Sequence, residues 1–167
     1  MANTHVFTGM DGAISLAVET GPEGEAAGAI NDEYGLTPIG RAIDVRIEVT
    51  SVMRPFHEIG QRYATELRPG NVDVTGSIGR AHINGALVRL MLGEGGAGAR
   101  PAGAFISPSF NLSLRHENPG APGNSSSISV HGVKLDSWTY HMPEDDFVLE
   151  SVTFRALRVT AEDTEAA

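Results

Sequence analysis

Apolar and polar residues alternate with a period of two along much of this chain, the pattern of strands with one dry and one wet face. Ile14, Leu16 and Val18 alternate with Ser15, Ala17 and Glu19. Asp11-Gly12 just before them is a turn signal, which makes Thr4–Phe7 a candidate hairpin partner. Ile43, Val45, Ile47 and Val49 alternate with Asp44, Arg46, Glu48 and Thr50; Val72, Val74 and Ile78 oppose Asp73, Thr75 and Ser77. Phe110, Leu112 and Leu114 alternate with Asn111, Ser113 and Arg115. Ile128 and Val130 open a further strand whose phase changes near Gly132, because Val133 and Leu135 fall on the other parity; a bulge at His131-Gly132 accounts for the change. Phe147–Thr160 reads as a long final strand with Val148, Val152, Phe154 and Ala156 on one side, followed by a frayed polar tail, Ala161–Ala167.

One stretch has helical spacing. Over Asn84–Leu92, Leu87, Leu90 and Met91 share a face, Asn84 suits an N-cap, and Gly93 suits a C-terminal left-handed cap. Thr20–Gly40 has no periodicity and reads as an extended loop with a short helical turn. Arg54–Gly70, bounded by Pro55 and Pro69-Gly70, reads as the extended end of a hairpin. Gly93–Gly103 reads as a flexible loop, Asn118–Ser127 as a turn region and Met142–Asp146 as a tight acidic turn. These elements predict an all-β sandwich or barrel with one short helix, in one domain over 1–167. Val45, Ile47, Val49, Val74, Ile78, Leu87, Leu90, Phe110, Leu112 and Phe154 are the expected core.

Composition narrows the function. A chain of 167 residues is long enough to bury a core without staples, and it has no cysteine. Disulfide frameworks, thiolate metal sites and cysteine nucleophiles are therefore excluded. Lys+Arg total 12 against 21 Asp+Glu, a net charge of −9, which argues against a groove built to grip nucleic-acid phosphates. No apolar run is long enough for a membrane span, and the first residues lack the basic and apolar regions of a secretory signal, so a soluble protein without membrane anchor is expected.

No catalytic or metal constellation stands out, and no cofactor is expected. His57-Glu58 starts like a zinc-protease motif, but Gln61 occupies the position of the second histidine. His131, Asp136 and Ser137 include the residue types of a triad, yet neighbouring strand residues point to opposite faces. The glycines from Gly93 follow a helix, whereas a dinucleotide loop precedes one. Glu144-Asp145-Asp146 lacks the spacing of a calcium loop, and Trp138 with Tyr140 suits core or interface packing.

Three stretches resemble the tail tube proteins of bacteriophages and of contractile injection systems. They are Tyr34-Gly35 with Ile39-Gly40-Arg41-Ala42 leading into Asp44–Val52; Val74–Ala81 followed by the helix ending at Leu92-Gly93; and Gly132-Val133-Lys134-Leu135-Asp136-Ser137-Trp138 with Met142-Pro143, Asp145–Glu150 and Phe154-Arg155-Ala156. The resemblance implies a β-sandwich or barrel of the tail-tube type with a long hairpin arm. Six copies would form a ring, and rings would stack into a conduit for phage DNA, sited in the virion tail and assembled in the host cytoplasm. Sheath, tape-measure, baseplate or terminator proteins would be partners, and DNA would pass without specific binding. On this basis Asp44, Arg46, Glu48, Thr50, Asp73, Thr75 and Ser77 are expected to face the channel. Glu58, Gln61, Arg62, Tyr63 and Glu66 are expected on an arm between rings. An effector-carrying tube of a secretion or injection system, including type VI secretion, and a small β-sandwich ligand-binding module remain the alternatives.

Overall fold

The computed structural model of the chain describes residues 6–36, 39–98 and 100–164. Its strands are β1 (Gly12–Val18), β2 (Ala42–Phe56), β3 (Glu66–Ala81), β4 (Phe110–Glu117), β5 (Ser125–His141), β6 (Leu149–Ala156) and β7 (Arg158–Thr164). Its helices are α1 (Pro22–Tyr34) and α2 (Ala86–Leu92). Every strand pair is antiparallel. The order is β1-β4-β5-β6-β3-β2, and β7 pairs with β5. The sheet curls into a half-barrel with α1 and α2 against it.

β5 holds this sheet together. Its first half lies between β4 and β7, and its second half pairs with β6. The expected bulge is present: the register steps between Phe110 and Leu112, and Gly132 has φ 65°. That left-handed conformation favours glycine. A second register step, between Leu135 and Ser137, leaves Asp136 unpaired in the ladder with β6. The expected single last strand is two, β6 and β7, with the Leu157 amide donating to the His131 carbonyl at the break (2.9 Å). The tail departs from expectation through Thr164, because Arg158–Thr164 pairs with Ser125–His131; residues 165–167 lie outside the described ones.

The core is the concave face of the half-barrel. Leu16, Phe110, Leu112, Val130, Val152 and Phe154 are buried there with Val74 and Ile78 of β3, and Leu87 and Leu90 of α2 close it. Val45 and Ile47 are partly buried against this cluster. Val49 departs from expectation: it is 54% exposed, although it has the same parity. β2 is the edge strand of the sheet, so Val49 has a strand on one side only, and it lies at the level where β6 ends.

α1 corrects the expected loop over 20–40. Thirteen residues, Pro22–Tyr34, are helical, with Pro at the first turn and Gly35 in the left-handed conformation (φ 63°) as the C-terminal cap. Its buried residues are Gly24, Ala27, Gly28, Ile30 and Asn31, in which Ile30 is the one large apolar side chain among small and polar residues. Close approach explains the glycines: a Cβ at Gly24 would lie 1.8 Å from the Glu19 carbonyl oxygen, and one at Gly28 would lie 3.3 Å from Val18. Thr37 and Pro38 lie outside the described residues. α2 starts later than expected, at Ala86; Asn84 still accepts the Ala86 amide through Oδ1 (3.2 Å). Gly93 is the C-terminal cap of α2, with φ 56° and ψ −127° instead of the expected left-handed helical conformation, and Gly93–Gly96 continues as a 3-10 turn where a flexible loop was expected.

β1 pairs with β4, with Leu16 opposite Leu112, and of the expected partner Thr4–Phe7 the described residues Val6 and Phe7 are not in a strand. Thr4 and His5 lie outside the described residues. Asp11-Gly12 belongs to a 3-10 turn, where Asp11 Oδ2 accepts the Thr8 amide (2.8 Å) and hydroxyl (2.9 Å). Those two bonds, with a smaller contribution from His116, hold the Asp11 carboxyl below its ordinary value.

Phe110→Ala should cost about 3–5 kcal/mol, the range for truncating a buried aromatic ring. Val49→Ala, in a position without cover, should stay within about 0.5 kcal/mol. Urea unfolding of the two variants checks both, and a large loss at Val49 would contradict the exposed placement.

Candidate assembly surface

β2 and β3 pair from Ala42–Arg80 out to Phe56–Glu66. β6 supports β3 only between Val74 and Ala81. Beyond Val74 the two strands project as a free hairpin, and a two-stranded ribbon alone is marginally stable in water. The core parity continues onto this arm. Val49–Val74 is followed by Ser51–Val72, Met53–Pro69 and Pro55–Leu67, with Met53, Leu67 and Val72 exposed. The side of the hairpin that is core at its base is thus bare apolar surface further out.

The tip, 57–65, is shorter than the expected 54–70, because both strands continue past Arg54 and Gly70. The Thr65 amide donates to the Phe56 carbonyl (2.9 Å), and Gly60 turns the chain at φ 86°. Glu58, Gln61, Arg62 and Tyr63 are exposed on this tip. Glu66 opens β3 and pairs with Arg68 at 2.7 Å. His57 and Glu58 sit in the same exposed loop. Among the described residues no three His, Asp or Glu side chains gather as a metal site.

The opposite face of the sheet is polar. Arg46–Ser77, Glu48–Thr75 and Thr50–Asp73 are directly opposed pairs, and Asp44 faces Gly79. The seven residues expected to face a channel therefore share one face. Two further strands extend it. Thr153 lies opposite both Ser77 and Ser137, and Arg155 lies opposite both Thr75 and Lys134. The bulge at Asp136 corrects the expectation that Asp136 and Ser137 point apart. Thr153 Oγ1 donates to Asp136 Oδ1 and is 2.6 Å from Ser137 Oγ. His131 is not in this group; its Nε2 lies 3.0 Å from the Thr160 hydroxyl. The arginines on the face have acidic neighbours, Arg46 with Glu48 at 3.0 Å and Arg155 with Asp136 at 3.5 Å. Both pairs are exposed, and exposed pairs add little stability; their consequence is local neutrality.

No protein-family model matches this sequence, and no curated protein matches it. Solved structures do match in shape. A chain of the anti-feeding prophage cap, described as a tube-terminating cap, superposes with TM-score 0.63 at 11% identity, over 97% of this chain and 94% of that one. A chain from the sheath-tube complex of the extracellular contractile injection system PVC gives TM-score 0.62 at 10% identity, covering 95% and 93%. The SPP1 tail tube gives TM-score 0.55 at 11% identity, covering 96% and 81%. The fold is the tail-tube fold. At such identities the likeness is one of architecture alone.

This version of the tail-tube fold buries a charged cluster that the alternation alone did not reveal. Arg80 and Glu150 have fully buried side chains, with Arg80 Nε 2.6 Å from Glu150 Oε1. Arg80 Nη2 also donates to the Asn84 carbonyl (3.3 Å) and to its Oδ1 (3.2 Å). Glu150 Oε2 accepts the Trp138 indole N–H at 2.9 Å and lies 3.2 Å from His82 Nδ1. Trp138 and Tyr140 pack side by side, ring centroids 5.7 Å apart, and His82 meets Tyr140 edge-on. The cluster ties the end of β3 to β6 and fixes the chain entering α2. A signal was present: Arg80 has the parity of Val74 and Ile78, Glu150 that of Val152 and Phe154. Opposite charges on the dry parity of two strands point to a buried pair.

Glu150→Gln should lower stability by about 3–5 kcal/mol, because it leaves the Arg80 guanidinium buried without its counter-charge. The double change Arg80→Met with Glu150→Leu should recover most of that loss. Denaturant midpoints of the three proteins check this; equal destabilisation by the single and double changes would contradict it.

Proposed function

We propose that this chain is a structural subunit that assembles into stacked hexameric rings, forming the inner tube of a phage tail or a related contractile machine. The observation that carries the reading is the contrast within one hairpin: an apolar face without cover on one side, and on the other a face that is polar from Asp44 to Thr50 and from Asp73 to Ser77, with Val52 and Phe56 only further out on the arm. A monomer has no use for the first, and a water-filled channel has use for the second. In this reading the arm packs on a neighbouring ring, and the face carrying Asp44, Arg46, Glu48, Thr50, Asp73, Thr75 and Ser77 lines the lumen. Ring closure also covers the free edges of the sheet. The protein acts by assembling, without a catalytic role. Its partners are further copies, with sheath, tape-measure, baseplate or terminator proteins around the tube, in a virion tail built in the host cytoplasm. The similar structures, which include chains of a sheath-tube complex and of a tube-terminating cap, support that company.

DNA is the cargo this face suits. With the arginines neutralised by neighbours and a net charge of −9, the face gives phosphates little to hold.

Electron microscopy of concentrated protein should show rings or tubes. Replacing residues 57–65 with a two-residue Asn-Gly turn should leave a folded protein by circular dichroism that forms no tubes. Undiminished tube formation by that variant would remove the arm from assembly.

Asp44→Lys with Asp73→Lys should leave assembly intact. Tubes of the variant should retain DNA at low salt and release it as salt rises, through counterion release. Retention equal to wild type would contradict the lumen placement while leaving the tube reading in place.

A further inference from the structure

We infer that the acidic turn between β5 and β6 is the surface that receives the arm of a second copy, head to tail; the inference rests on the tube reading and adds the receiving site. β3 begins at the arm and ends at Ala81, which lies opposite Leu149, directly after that turn. The two surfaces thus sit at opposite ends of the same strands. At the turn end, Met142 and Phe147 are 69% and 79% exposed and flank Glu144-Asp145-Asp146. Ile83 is exposed next to them, where the His82 amide donates to the Val148 carbonyl (2.9 Å). At the arm end, Phe56, Ile59 and Tyr63 are exposed. Each end therefore carries bare apolar side chains, and exposed clusters of this kind mark interaction surfaces.

Charge decides how the ends combine. Segment 142–148 contains three acids and no base. Segment 54–68 contains Arg54, Arg62 and Arg68 against Glu58 and Glu66, one positive charge in excess. Arg54 and Arg68 are directly opposed across the hairpin, and like charges in that relation are destabilising. Glu66 serves Arg68, and an acid from outside the arm would relieve Arg54. Like ends brought together would set acid on acid or arginine on arginine. Unlike ends match apolar surface to apolar surface and acid to arginine. A contact between different surfaces is heterologous; it forms a ring where its rotation closes and an open stack where it does not, and surfaces at opposite ends of the same strands favour the open stack along one axis.

The test is a charge exchange scored by pelleting and electron microscopy. Glu144→Arg with Asp145→Arg, and separately Arg54→Glu with Arg62→Glu, should each raise the concentration needed for assembly by about tenfold or more, since like-charge juxtaposition costs several kcal/mol. All four changes in one chain should restore assembly. Asp146 is left in place because its Oδ1 accepts the Phe147 amide (2.7 Å). Circular dichroism and melting curves confirm folding of each variant. Wild-type assembly by the turn variant, or no recovery in the folded four-fold variant, would overturn the pairing while the tube reading stands. Failure of the wild-type protein to assemble would overturn both.

Discussion

The third strand decides where this molecule ends as a folded unit. As far as Val74, β3 lies between β2 and β6, and its apolar side faces Phe154 and Val152. One residue pair further out β6 has gone, and the same alternation continues on two strands alone. The pattern that builds the core and the pattern that makes the arm are thus one pattern, separated by the end of β6. Side chains such as Leu67 and Val72 then gain their hydrophobic free energy only when another surface arrives. Folding, and association in the proposed tube, would draw on one continuous strip of apolar side chains.

The Arg80–Glu150 pair serves the other end of that strip. A buried ion pair is a poor source of net stability, since desolvating both charges costs about what their attraction returns. Its effect here is geometric. Glu150 joins β6 to Arg80 on β3 and Trp138 on β5, and Arg80 reaches the Asn84 carbonyl at the approach to α2. Register slippage of β3 against β6 would separate the two charges within the interior. The pair therefore makes one alignment of the central strands far better than its neighbours, and β3 is the strand that carries the arm.

Much of the sheet was legible in the sequence because it depends on alternation, and alternation survives wherever one face is wet. The bulge at Gly132 was legible for the same reason, as a break in phase. α1 was hardly legible: of its buried residues Gly24, Ala27, Gly28, Ile30 and Asn31 only Ile30 is a large apolar side chain, and the glycines, which serve close approach to β1 and the residues before the helix, leave little periodic trace. The end of the core at Val49 was not legible either, because parity reports which way a residue points and not whether anything lies there. The polar face was half legible. Its residues on β2 and β3 followed from parity, while Asp136 joined them through a bulge that only pairing with β6 defines.

The prolines of the arm bear on how an uncovered ribbon avoids pairing with another. Pro55 faces Leu67 and Pro69 faces Met53, and between them and the sheet the register steps once more, where Gly70 lies so close to the Val52 carbonyl that a Cβ would sit 2.8 Å from it. Proline has no amide hydrogen to offer a passing strand, and a bulge twists a ribbon out of the flat form that fibrils require. The exposed arm carries enough β-branched and aromatic residues to seed cross-β stacking. In the proposed tube subunit its prolines and its irregular register would act as gatekeepers, keeping the bare ribbon of one copy from stacking on that of another.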